Sequence, residues 1–189
     1  MSRLLRTLRL DASDSVVFAR AAEPGEWAVP GSFLFWGRAP ESLSRKEAVA
    51  FRSGFLGIAS FGHATLAVVQ NASPTERAEA VEQLAAQLVA QLGAPDLATA
   101  RPAAEEEITL AESLCVEHGE NTVIALHRRF EGGAIHEQYR RLTPREQTAF
   151  NAPHLRGHDR AFQFFESSED GAGDTAALPD LFSLRGKED

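Results

Sequence analysis

The chain has 189 residues, 43% of them hydrophobic and 24% charged, with Lys+Arg 19 against Asp+Glu 27 and a formal net charge of -8. These figures suit one globular domain, or one with an appended tail, burying roughly 70% of its unfolded surface; collagen-like, disulfide-rich and wholly disordered classes are excluded. The acidic balance also argues against nucleic acid and anionic membranes as partners, since both call for basic surface.

The opening MSRLLRTLRL alternates leucine with polar residues and predicts a strand over 3–10. Arg3, Arg6 and Arg9 break any apolar run a signal peptide would need, and Asp11 and Asp14 argue against a transit peptide. No later run approaches the ~20 apolar residues of a membrane span. With Cys115 as the single cysteine, no intrachain disulfide is available and the cytoplasm is the default compartment.

Val16, Val17 and Phe18 favour a strand over the helical turn that Ser13 or Asp14 would cap. Residues 26–37 are β-prone about Pro30-Gly31, which predicts a hairpin or one bent edge strand. A short helix should start at Ser42 or Ser44, with Glu47 at capping-box distance from Ser44, and end at Gly54. Ala64 to Val69 reads as a buried strand. The clearest helix covers about 75–92, capped by Ser73 with Pro74 and Glu76 in place and stopped by Gly93. A second helix, 102–116, should begin near Pro102 with Glu105, Glu106 and Glu107 close to its positive end.

The stretch 122–142 carries the most information. Gly132-Gly133 between two β-prone runs predicts a two-residue hairpin in which Phe130 faces Ile135, Arg128 faces Glu137 and Leu126 faces Tyr139. The same register places His127, Arg129, His136 and Arg140 together on the opposite, polar face. Beyond Thr143-Pro144, residues 146–161 lack periodicity, 160–167 offer one more strand, and 168–189 form an acidic tail expected to be mobile. Leu178, Leu181, Phe182 and Leu184 either stay loosely packed or dock on the domain or on a partner. The expected fold class is α+β: a single domain over 1–167 with a mostly antiparallel sheet of five to seven strands and two main helices packed on one face.

Motifs with dedicated chemistry are missing: no GxGxxG, phosphate loop, HExxH, CxxC or EF-hand occurs. Ile58-Ala59-Ser60-Phe61-Gly62 departs from the nucleophile elbow by lacking its first glycine and preceding a strand. Cys115 and His118 make half a metal site at most, and Pro153 and Gly157 disfavour a helix that would align His154 with His158. No cofactor and no metal site are expected. The best local candidates are His127, Arg129, His136 and Arg140, which offer donors to an anion or an acidic partner. Trp27 and Trp36 belong to a concentration of seven aromatics between 27 and 61, which is core, an apolar pocket or a homodimer interface.

The segments LRLDASDSVVF, AAEPGEWAVPGSFLFW, FRSGFLG and LHRRFEGGAIHEQYRRL together resemble a bacterial family of uncharacterised proteins, over roughly residues 3–145. The resemblance implies one domain of conserved length with a variable tail, and neither an activity nor catalytic residues. Two functions compete. The first is a non-catalytic accessory or protein-interaction domain, of the kind that assists assembly of a larger enzyme, with a protein partner or a homodimer and no nucleic acid or membrane. The alternative is a small-molecule-binding protein or enzyme with an aromatic-lined pocket. Charge is unevenly spread: ten acidic residues stand against two arginines over 75–121, and five arginines against two glutamates over 122–145. The acidic tail is thus complementary to the basic hairpin, an attraction that salt would weaken.

Overall fold

The computed structural model describes residues 2–144 and 165–168. The tail read over 168–189 lies outside the described residues apart from Ser168, as do residues 146–161 with His154 and His158. The fold is α+β. Eight strands among the described residues form one sheet in the order β4-β3-β2-β1-β5-β6-β7-β8, antiparallel at every pairing. They are β1 (Ser2–Leu8), β2 (Trp27–Val29), β3 (Phe55–Gly57), β4 (His63–Ala64), β5 (Leu66–Ala72), β6 (Val123–Glu131), β7 (Ala134–Pro144) and β8 (Phe165–Ser168). Four α-helices among the described residues accompany them: α1 (Ser13–Val17), α2 (Arg45–Ser53), α3 (Pro74–Leu92) and α4 (Leu97–Cys115). Among the described residues no helix is long and apolar enough to cross a membrane.

Helix starts follow local chemistry. Ser44 and Ser73 each accept the backbone N–H three residues on, and Glu47 and Glu76 accept the serine N–H in return, so both predicted capping boxes close. Gly93 ends α3 in the left-handed conformation. Helices α3 and α4 meet through small and apolar side chains, Ala80, Leu84, Ala85 and Leu88 with Ala104, Ile108 and Ala111, which join Leu4, Val29 and Leu56 in one core cluster. Arg77 ties the pair by reaching Glu105 at 2.7 Å and Glu112 at 2.8 Å. A second cluster unites Leu5, Phe55, Val69, Ile124 and Leu126 with Cys115. Because the neighbours Leu4 and Leu5 point to opposite sides of β1 and both are buried, this central strand is covered on both faces.

Three local expectations yield to tertiary contacts. Residues 13–17 are helical, not extended, since buried Asp14 accepts the Thr65 hydroxyl at 2.6 Å and the Thr65 N–H at 3.3 Å from across the fold. Residues 26–37 form neither a hairpin nor an edge strand. Trp27–Val29 is an interior strand between β1 and β3, Gly31 turns the chain at φ 75, and Ser32–Phe35 coils into a 3-10 turn. Helix α4 starts five residues before Pro102, because the Asp96 carboxylate accepts the Thr99 N–H at 2.7 Å and burial of Ala100 holds the extra turn.

Gly31 is required twice over. A Cβ there would lie 2.7 Å from Leu56 Cβ, whereas one at Gly37, also at positive φ, would meet nothing within 4 Å. Gly31→Ala should therefore lower stability by about 2–4 kcal/mol, strain plus overpacking, against about 1–2 kcal/mol for Gly37→Ala. Denaturant midpoints of the two variants give the comparison, and equal losses would rule out the clash with Leu56.

Candidate functional site

The hairpin β6–β7 is built by its turn. Gly132 and Gly133 both have positive φ, 59 and 79, the pattern of a type I′ turn whose twist matches that of the strands. The register follows as read: Phe130 pairs with Ile135, Arg128 with Glu137 and Leu126 with Tyr139. On the outer face Arg129 pairs with His136, His127 with Gln138 and Ala125 with Arg140. His127, Arg129 and His136 are exposed and Arg140 is half-buried. Arg129 contacts Glu131 at 3.0 Å, an exposed pair that water screens. Partial burial holds the His127 imidazole below its ordinary pKa, and the charges of Arg140, Arg129 and Arg52 add to that. Sequence spacing held no signal for the influence of Arg52, on α2, because the approach of α2 to the hairpin is non-local.

The inner face carries a buried cation. Arg128 is 1% exposed. Its Nε donates to Glu137 Oε1 at 2.6 Å, Nη1 donates to the carbonyls of Phe51 and Gly54 at 3.1 Å each, and Nη2 donates to the Pro30 carbonyl. The Tyr139 hydroxyl donates to Glu137 Oε2 at 2.7 Å, and burial, with that carboxylate, raises its pKa. Phe130 stacks on Phe51 with ring centroids 4.2 Å apart. One guanidinium thus locks the hairpin to α2 and to the turn at Pro30. The sequence signal was an arginine assigned by register to the mostly apolar face.

Glu107 of α4 lies close to this cluster and is only 9% exposed. Its Oε2 is buried with no hydrogen-bond partner. Burial, helped by the nearby Glu137, pushes its carboxyl up to about 7, against the pull of Arg128 and of the Gly31 N–H. Sequence reasoning places Glu107 only near the positive end of the helix, with no signal for its burial.

The predicted tryptophans part company. Trp27 is half-buried beneath the Arg6 guanidinium, which sits 3.6 Å from its ring centroid, away from the hairpin. Trp36 is 67% exposed and forms a wall of two concavities. One, about 760 Å³, runs between residues 35–40 and the hairpin turn with Phe130 and Ile135; the other, about 380 Å³, lies between the 33–36 turn, the end of α3 and the start of α4. Neither is lined by His127, Arg129, His136 or Arg140. The outer hairpin face is an open surface.

Other reactive side chains are tied into structure. Ser60 donates its hydroxyl to Glu26 Oε1 at 2.5 Å and accepts the Gly62 N–H at 3.0 Å, which pins a turn. Cys115 is buried, and desolvation pushes its thiol up to about 12, leaving no thiolate at neutral pH. Among the described residues no group of three or more His, Cys, Asp or Glu is placed to hold a metal ion.

Residues 1–158 match the model of a family of unknown function, DUF6505, and the chain belongs to that family. No curated protein matches the chain. No solved structure matches it either.

Proposed function

We propose that this protein is a non-catalytic, cytoplasmic interaction domain that docks an acidic protein partner on the outer face of the β6–β7 hairpin, as an accessory protein assisting assembly of a larger enzyme. One observation carries the reading: His127, Arg129, His136 and Arg140 share one open face whose backing is clamped by Arg128. A hydrogen-bonded strand pair needs no backbone ordering on binding, and charge-assisted hydrogen bonds to carboxylates are stronger than neutral ones. The acidic layer of α3 and α4 in a second copy has complementary charge, so light scattering distinguishes a homodimer from a heterologous complex.

The double variant Arg129→Ala, Arg140→Ala should lose the co-purifying partner and weaken binding of a polyglutamate peptide by roughly tenfold or more at low salt, with thermal stability almost unchanged. The wild-type interaction should weaken as ionic strength rises. Partial burial and the neighbouring arginines disfavour the charged His127 in the free protein, and a bound carboxylate favours it, so affinity should rise as pH falls. Retention of the partner by the double variant sinks the reading.

The small-molecule alternative has one specific observation in its favour, the apolar cleft beside Trp36 and Glu107.

A further inference from the structure

The smaller concavity has the character of a ligand site, independently of the hairpin face. Phe33 and Trp36 form one wall, Leu88 and Leu92 of α3 a second, and Ala103 with Glu107 of α4 a third. Its volume of about 380 Å³ falls within the range of small-molecule sites. Both Trp36 and Leu92 are more than half exposed, at 67% and 51%, although each abuts apolar neighbours. An amphipathic molecule in the cleft would cover both.

Polarity at the cleft has one sign. Glu106 and Glu107 are its carboxylates, and among the described residues no cationic side chain lines it and Glu107 Oε2 has no donor. A buried acceptor without a donor costs about 1–3 kcal/mol, which a ligand N–H recovers. Aromatic rings flanking an acidic end also favour a cation.

We propose that this cleft binds a small arylalkylamine, with its ring against Phe33, Trp36, Leu88 and Leu92 and its ammonium at the Glu106 and Glu107 end. An anionic or purely hydrocarbon ligand would leave the carboxylate unmatched. Burial first, then Glu137 and Glu106, favour the protonated form of Glu107, and Arg128 and the Gly31 N–H oppose it. An arriving ammonium favours the ionised form, so binding near pH 7 releases a proton from Glu107.

The probes are 2-phenylethylamine and its neutral isostere 2-phenylethanol, titrated calorimetrically into the full chain at pH 7 in two buffers of different ionisation enthalpy. The amine should bind roughly tenfold tighter than the alcohol, as expected for one charge-assisted hydrogen bond, with proton release. Glu107→Gln should abolish both the preference and the proton release. Ala103→Trp, which fills the cleft from an exposed position, should abolish binding of both probes without loss of thermal stability. Equal affinity for amine and alcohol, no binding of either, or a preference that survives in Glu107→Gln overturns the proposal. None of these outcomes bears on partner binding at Arg129 and Arg140.

Discussion

Arg128→Ala should destabilise the protein by about 3–5 kcal/mol, the range for removing one member of a buried ion pair. The side chain is fully enclosed, and its loss strands four acceptors at once: the Glu137 carboxylate and the carbonyls of Pro30, Phe51 and Gly54. Among the described residues the Tyr139 hydroxyl alone remains on Glu137. Since domains of this size are stable by only about 5–15 kcal/mol, that loss is a large share of the total. Arg128→Lys should recover little, because one ammonium cannot span acceptors arranged around a planar fork. The adjacent Arg129→Ala is the control and should fall within about 0.5 kcal/mol of the wild type, as an exposed substitution does. Urea denaturation of the three variants reads the difference directly. A loss at Arg128→Ala no larger than at Arg129→Ala would show that the clamp does not hold the hairpin.

The second large effect is a pH-dependent gain at Glu107→Gln. Burial raises the Glu107 carboxyl from 4.5 to about 7, so between these values the folded chain binds more protons than the unfolded one. Its contribution is therefore present in full below pH 4.5 and is lost as pH rises through 7. The loss amounts to about 3 kcal/mol by pH 8 at 1.36 kcal/mol per pH unit. A glutamine does not ionise, so Glu107→Gln should match the wild type near pH 4.5 and exceed its stability by up to about 3 kcal/mol at pH 8. The wild-type profile also contains an opposing slope. His63 is lowered from 6.5 to about 4, chiefly by burial and then by the Arg128 charge, and it removes stability as pH falls through that window. Subtracting the two profiles isolates Glu107. A flat difference between pH 4.5 and 8 would mean that Glu107 ionises at its ordinary pKa in the folded protein.

Glu107 and Arg128 also show how legibility divided between sequence and structure. The register of β6–β7 was readable to the residue, because Gly132-Gly133 sets a two-residue turn and a period of two then orders all that follows. That reading separated Arg128 from Arg129, neighbours of one chemical type on opposite faces. It brought His127, Arg129, His136 and Arg140 together, as the structure does. It did not show that Arg128 would gather carbonyls from residues 74 to 98 positions away. Nor did it show that Trp27 would be paired with Arg6 while Trp36 remained exposed.

What the sequence determined by itself is what short-range forces govern: the capped helices at Ser44 and Ser73, the glycine turn and its register, and the α+β class with its antiparallel sheet. Tertiary structure alone decided the helix at 13–17, where Asp14 meets Thr65, the interior place of Trp27–Val29, and the start of α4 before its proline. It also decided the burial of Glu107 and the cleft beside Trp36. Each of these depends on a partner distant in sequence, and neither the identity nor the approach of that partner is encoded in the local pattern of residues it contacts.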